Sequence, residues 1–543
     1  MLKSIVGLPA SKRIKEITGV TILLLTTAIP ALALQPVGNT RKTVKTTHFI
    51  VSTRQPQQTV EHFGASDAWS MKTIGLWPEE EQRKIADWLF SLKTDASGSP
   101  LGIGLSLWRF NLGAGSEEQG ERSQINSGTR TQCLLRPDGT YDWTRQKGER
   151  NFLKLAKQRG VPYFLAFLNS APVQFTQNGL ATNTGRGGTI NLRSDCYDDF
   201  ARFMATALKG IEEHDSIHFS YLSPVNEPDG HWNWLGPKQE GSPATNRELA
   251  RLVRETDKQL RKQHLMTTQI VIPESSDLRC LLDVHQTSWE RGYTIRTLFT
   301  KDSIHTWLGN VKTLTPIIAG HSYWTNTPLK FMRDIRVALR DTLKKYGRGF
   351  WQTETCIMSN DNEIGGGGGY DFSMKTALYV ARIIHHDLVF ANAQSWSWWR
   401  AVGGDYRDGL LRGYWSKDGK TGWAADSKLL WTLGNYSRFV RPGAVRYDMT
   451  ATDEMGKNVA EGFNDVRGVM CSAYRNKDNS WVVVAINYSD DFKPFILSTD
   501  DDQGHEWQMY RTSDVSTENL KHIVQTDGRT TLVPRSVTTF IAR

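Results

Sequence analysis

Two glutamates stand where the surrounding residue types suit acid–base and nucleophilic chemistry. Glu227 closes the run Ser223-Pro224-Val225-Asn226-Glu227-Pro228, and Glu354 closes Trp351-Gln352-Thr353-Glu354. Each follows a short apolar stretch that reads as a strand, and Pro228, which cannot donate to a sheet ladder, marks a sharp stop. A carboxylic acid can protonate a leaving oxygen and later take a proton from water, while a carboxylate can attack an electron-poor carbon. Two such groups about 5 to 5.5 Å apart, one on each side of an acetal bond, are what cleavage of a β-glycoside with retention requires. Asn226, beside Glu227, could bond the sugar 2-hydroxyl, a contact that strengthens in the transition state. The competing reading of Glu227 is a surface turn glutamate, and that of Glu354 a salt-bridged glutamate on a rim. Glu274, in Ile272-Pro273-Glu274-Ser275-Ser276, better fits a structural or secondary role, and Asp67 could grip hydroxyls of a bound sugar.

These side chains need a scaffold that brings distant strand ends together. Eight short β-like runs occur at residues 62–65, 103–110, 162–168, 219–225, 269–273, 317–321, 349–354 and 392–398. Amphipathic helical patterns lie between several of them, at 151–160, 197–211, 246–263 and 329–346. This alternation predicts an α/β fold, a (β/α)8 TIM barrel, whose active sites lie at the C-terminal ends of the strands. An open doubly wound sheet is the rival, but no Gly-rich phosphate turn follows the first strand. Strands four and seven, which end at Glu227 and Glu354, face each other across a barrel mouth.

Beyond Phe439-Val440-Arg441-Pro442-Gly443 the pattern becomes short strands and polar turns, which predicts a C-terminal all-β sandwich side domain. The expected division is a signal peptide over 1–33, an N-terminal segment over 34–60 adding strands to the sandwich, a barrel over 61–438 and the sandwich over 439–543.

Lys12, Arg13 and Lys15 precede an apolar run that ends near Ala31-Leu32-Ala33, the pattern of a cleaved leader. The expected location is therefore secreted or periplasmic, with no stable membrane span, since no other segment is apolar enough to cross. The formal charge of +9 falls to +6 once the leader's net +3 is removed. No basic stripe interleaves with aromatics, so nucleic acid is not an expected partner. The five cysteines (133, 196, 280, 356 and 471) show no metal-ligand spacing, and one or two disulfides would suit an oxidising compartment. Nineteen tryptophans supply both core and flat platforms for sugar rings. Neither metal nor organic cofactor is expected, because two carboxyls suffice; a monomer is expected.

In order along the chain, the sequence resembles glycoside hydrolase family 30, of the clan with catalytic glutamates on strands four and seven. The resemblance rests on Phe63-Gly64-Ala65-Ser66-Asp67, Trp108-Arg109-Phe110, Ser170-Ala171-Pro172 with Asn178-Gly179, and Asn226-Glu227-Pro228. It continues through Gln239-Glu240-Gly241, His321-Ser322-Tyr323-Trp324 and Trp351-Gln352-Thr353-Glu354. It implies that Glu227 is the acid/base and Glu354 the nucleophile. Arg109 would then bond and help ionise the nucleophile, His321 and Tyr323 would lie near it, and Asp67 and Trp69 would shape the −1 pocket. Trp396 or Trp398 would form that pocket's floor; a buried ion pair at Arg109, a satisfied core histidine at His321 and core tryptophans are the alternatives. Asn169 stands where relatives such as glucosylceramidases carry tryptophan, and Trp232-Asn233-Trp234 could add an aromatic platform. The five glycines at 365–369 would form a mobile loop over the cleft or a plain connector. Within the family the pattern is most similar to endo-β-1,6-galactanases acting on arabinogalactan side chains. A β-1,6-glucanase, a xylan- or glucosylceramide-cleaving member, a transglycosylase or a non-catalytic glycan-binding protein are the other readings.

Overall fold

Strands buried on both faces form the centre of the molecule, and they close into a ring. A computed structural model describes residues 46–233, 235–358, 361–459, 468–501 and 503–543. The expected leader and Trp234 lie outside the described residues. The ring runs through His62–Ser66, Leu107–Asn111, Tyr163–Phe167, Tyr221–Ser223, Gln269–Ile270 with Pro273–Ser275, Ile317–His321, Gly349–Glu354 and Ala393–Gly403. Neighbouring strands are parallel throughout, and the last pairs with the first. The fifth strand is split. Val271 donates to Leu222 on strand four, whereas Ile272 accepts from Ala319 on strand six, so the ring closes across the split. This is the expected TIM-type barrel with helices outside.

Local sequence explains the helices that frame it. Tyr197–Asp215, Asn246–Lys262 and Leu329–Lys345 follow the third, fourth and sixth strands, close to the predicted patterns. Thr245-Asn246-Arg247-Glu248 forms a capping box: Thr245 accepts from the Glu248 amide, and Glu248 accepts from the Thr245 amide at 2.9 Å. That pins the first helical turn after the loop carrying Glu227. Met374–Val389 is buried around most of its circumference, because the barrel covers one side and the second sheet the other.

Among the described residues the second sheet has nine strands, in the order Lys521–Thr526, Trp507–Thr512, Ser536–Ala542, Trp481–Asn487, Val469–Arg475, Ala444–Thr452, Thr47–Val60, Lys493–Thr499 and Arg529–Leu532. Thr47–Val60 runs antiparallel to Ala444–Thr452 and parallel to Lys493–Thr499, which makes the sheet mixed. Phe495 and Phe540 lie on strands far apart in this order, yet their rings stack at 5.2 Å, so the sheet folds over itself around its own core. Trp481, Val483 and Ala485 face that core, while Val482, Val484 and Ile486 join the cluster shared with the barrel. Coverage of both faces explains why this segment is continuously apolar. All five cysteines are free, so the disulfides allowed for by the sequence do not form. No helix among the described residues is long and apolar enough to cross a membrane.

Candidate active site

Inward-facing side chains fill the barrel in two layers of opposite character. At the lower end His62 meets the edge of Trp351 at 4.4 Å between ring centroids, and Tyr221 packs on Trp351 at 4.8 Å. Burial depresses His62 to about 3, so this imidazole is neutral. Above it, at the C-terminal strand ends, stand Arg109, Glu274, His321 and Glu354, all buried, with Glu227 at the edge.

Glu354 is held from two sides. Arg109 donates to its Oε2 at 3.0 Å, and the Tyr323 hydroxyl donates to its Oε1 at 3.0 Å. A register slip between Gly320 and His321 pairs His321 with Glu354 rather than Thr353. That irregularity lets Thr353 reach Glu274 while Glu354 reaches Arg109. Glu227 is held through Oε1, which accepts from His321 Nδ1 at 3.0 Å. Its φ of +49°, an uncommon value for a glutamate, is imposed by the turn: its amide donates to Glu274 at 2.8 Å, and Trp232 Nε1 and the Gly230 amide both donate to its carbonyl at 3.0 Å. The two side chains retain 14% (Glu227) and 4% (Glu354) exposure, so both can be reached. Ligating atoms of Glu227, His321 and Glu354 all lie within 4.8 Å of one another. The sequence-predicted pair is therefore brought together, with an oxygen of one carboxyl within 4.8 Å of an oxygen of the other.

The charges nearly cancel. Burial alone would lower His321, but the charges and hydrogen bonds of Glu354, Glu227 and Glu274 raise it to about 10. His321 is thus a cation that donates from both ring nitrogens, at 3.0 Å to Glu227 and 3.1 Å to Glu274. Burial works against ionisation of Glu274, yet Arg109, His321 and Thr353 hold its carboxyl below the ordinary value. Burial also pushes Glu354 upward, against the pull of His321 and Arg109. Two cations, Arg109 and His321, thus face the three carboxyls of Glu227, Glu274 and Glu354. Two carboxylates and an imidazole are metal-ligand types, but here the imidazole nitrogens are both occupied as donors to carboxylates. Glu274 is fully buried, so it supports Arg109 and His321 from below.

The remaining predicted residues divide by strand parity. Asn226 donates to Asn169 at 3.1 Å, and its Oδ1 is buried without a partner. Asp67 is buried after strand one, with Oδ1 accepting from the Asn111 amide at 2.9 Å and Oδ2 unpartnered; burial raises it well above the usual range. Trp69 packs edge-on against Trp399 at 5.5 Å. Trp396 and Trp398 are corrected. Trp396 Nε1 donates to Asp387 on helix Met374–Val389 at 2.9 Å, and Trp398 Nε1 donates to the Asp408 carbonyl at 2.7 Å. In a strand alternate side chains face opposite ways, so Ser395, Ser397 and Trp399 point inward while Trp396 and Trp398 point toward the helices. Trp399, missed in the sequence, takes the inward place, beside Phe167 and Arg109.

One loop expectation also changes. Trp232 is buried and serves as a strut rather than a sugar platform. A Cβ on Gly241 would lie 2.1 Å from its ring, which accounts for glycine in Gln239-Glu240-Gly241. Glu240 in the same motif accepts from the Ala114 amide at 3.1 Å and the Ser116 hydroxyl at 2.6 Å, tying this loop to the one after strand two. Within the glycine run, the Gly367 carbonyl accepts from Arg407 at 2.8 Å, and a Cβ there would meet the Ile357 carbonyl at 2.4 Å. Gly367 thus meets a packing requirement, whereas a Cβ at Gly365, Gly368 or Gly369 would meet open space.

A parallel barrel with two glutamates gathered at the ends of strands four and seven has the carboxyl pair that a glycoside hydrolase uses. Residues 46–412 match the sequence profile of O-glycosyl hydrolase family 30, and the chain belongs to that family. A glucuronoxylanase of Bacillus subtilis is 24% identical over 378 residues, covering 66% of this chain and 70% of the relative. An endo-β-1,6-galactanase of Hypocrea rufa is 27% identical over 198 residues, 34% of this chain and 40% of the relative. The solved structure of a conserved exported protein from Bacteroides fragilis superposes with a TM-score of 0.81 at 35% identity, covering 91% of this chain and 99% of that one. The xylanase match spans more of both chains than the galactanase match, so the expected likeness to galactanases is not singled out.

Proposed function

We propose that this enzyme hydrolyses a β-linked polysaccharide with retention, using Glu354 as nucleophile and Glu227 as acid/base. The observation that carries the reading is the approach of the two carboxyl groups, with ligating oxygens within 4.8 Å. In the first step the proton on Glu227 passes to the glycosidic oxygen as its bond to the anomeric carbon breaks. A Glu354 oxygen bonds to that carbon from the other face, and the leaving chain departs as an alcohol. In the second step water attacks the anomeric carbon, gives its proton to Glu227, and releases Glu354 as carboxylate. Arg109 and the Tyr323 hydroxyl favour the charge on Glu354 in the resting enzyme. His321 orients Glu227 through its Nδ1. Asn226 would hold the 2-hydroxyl, and Asp67, Trp69 and Trp399 would frame the sugar that becomes attached.

Xylan is the first substrate to test, because the glucuronoxylanase is matched over the greater length. β-1,6-Linked galactan is the second, supported by the shorter galactanase match and the motif order. Asn169 in place of tryptophan speaks against glucosylceramide. The leader-like residues 1–33 and the likeness to a protein described as exported support action outside the cytoplasm. The test is reducing-end release from xylan, β-1,6-galactan and β-1,6-glucan by wild type and by Glu354→Gln. Cleavage of one polymer by wild type and its loss in the variant would support the reading; equal rates would sink it.

A further inference from the structure

We infer that Trp324 is the stacking platform for the leaving sugar, on the opposite side of the cleft from the sugar that becomes attached to Glu354. The inference rests on the catalytic reading of Glu227 and Glu354. A line from strand four to strand seven divides the ring into two arcs. The long arc carries Trp69, Trp399 and Phe167 gathered beside Arg109, all buried, and so is the more enclosed side. That suits the sugar that must be gripped through the covalent step. The short arc carries His321, Tyr323 and Trp324 at the end of strand six. Trp324 is 38% exposed, and its ring lies 5.7 Å from that of Tyr323, whose hydroxyl reaches the nucleophile at 3.0 Å. An exposed indole one side chain away from Glu354, on the open arc, is where a departing sugar could stack and then leave.

The backbone gives a second, independent reason. Trp324 has φ +57°, which is costly for a bulky residue and native to glycine or asparagine. Its conformation is imposed from beneath by a buried network. Asp387 pairs with Arg336 at 2.6 Å and accepts from Ser322 at 3.1 Å, and Arg336 donates to the Thr325 carbonyl and the Asn326 side chain, each at 2.9 Å. Thr325 donates back to the Ser322 carbonyl at 3.1 Å. Asparagine or glycine would fit this backbone with less strain than tryptophan. A strained, rigidly held and exposed aromatic beside reacting groups is accounted for by a ligand.

The test compares two substrates in wild type, Trp324→Asn and Trp324→Phe. One is the polysaccharide the wild type cleaves. The other is the β-glycosyl fluoride of the oligosaccharide released from it, whose leaving group is a single atom and cannot stack. Asparagine tolerates positive φ, so Trp324→Asn should fold, which circular dichroism and the melting temperature check. The expected result for Trp324→Asn is a loss of about tenfold in kcat/KM on the polysaccharide, a change within about twofold on the fluoride, and recovery of most of the loss in Trp324→Phe. Equal losses on both substrates, or no loss on either, would overturn the assignment while leaving the catalytic pair intact. A Glu354→Gln variant as active as wild type on the fluoride would instead remove the catalytic reading itself.

Discussion

Two histidines, both fully buried inside the same barrel, carry opposite charge states. His62 lies among Tyr163, Tyr221 and Trp351, and burial drives it to about 3. His321 lies among Glu227, Glu274 and Glu354, which overcome the same burial and raise it to about 10. Burial is common to both, so the neighbours decide. The lower layer is a neutral aromatic plug that contributes packing, and the upper layer is a balanced set of charges that contributes chemistry. This follows the usual division of a (β/α)8 barrel, where one end is built for stability and the other for catalysis.

Removing charges from the upper layer should have the largest effects. Glu354→Gln is expected to lower kcat by roughly 10^4-fold or more, measured on the polysaccharide cleaved by wild type, because a neutral amide cannot serve as the nucleophile proposed for this carboxylate. Glu227→Ala should lower kcat by about 10^2- to 10^4-fold. Azide, which needs no base to activate it, should restore part of that rate and yield a glycosyl azide. Glu274→Gln leaves Arg109 and His321 short of a counter-charge, and urea unfolding should show a loss of about 3 to 5 kcal/mol. Retention of full stability in that variant would mean the charges are not balanced as described.

The two histidines should also give opposite pH signatures. The folded value of His321 is raised above the ordinary 6.5 of a free imidazole, so its stabilising contribution is complete below about pH 6.5 and is lost as pH rises toward 10. The folded value of His62 is depressed, so its contribution is present above about pH 6.5 and is lost as pH falls toward 3. Urea unfolding of His321→Asn and His62→Asn across this range, each against wild type, should show differences that shrink in opposite directions. The smallest effect should come from Trp396→Phe, which loses one buried hydrogen bond to the Asp387 carboxylate and about 2 kcal/mol, with kcat unchanged. A large fall in kcat there would return Trp396 to the pocket.

Much of this was legible in the sequence where a local rule governs. The ends of strands four and seven were marked by polar residues after apolar runs, and the helices over 246–262 and 329–345 by their apolar period. The facing of Trp396 and Trp398 was not legible. The run Ser395-Trp396-Ser397-Trp398-Trp399 sets two tryptophans on one face and one on the other, and a strand buried on both faces has no polar side to show which is inward. Nor could the sequence show that His321 bridges Glu227 and Glu274, because those contacts join three separate strands. The strut role of Trp232 was hidden for a similar reason: its partner, Gly241, lies beyond a turn whose path no pattern fixes.

Trapping the covalent intermediate tests the division of labour most directly. Incubation with a 2-deoxy-2-fluoro β-glycosyl fluoride of the released sugar, followed by peptide mass spectrometry, should place one sugar on the peptide containing Glu354. A sugar on Glu274 or Glu227, or a first product of inverted configuration by NMR, would contradict the account.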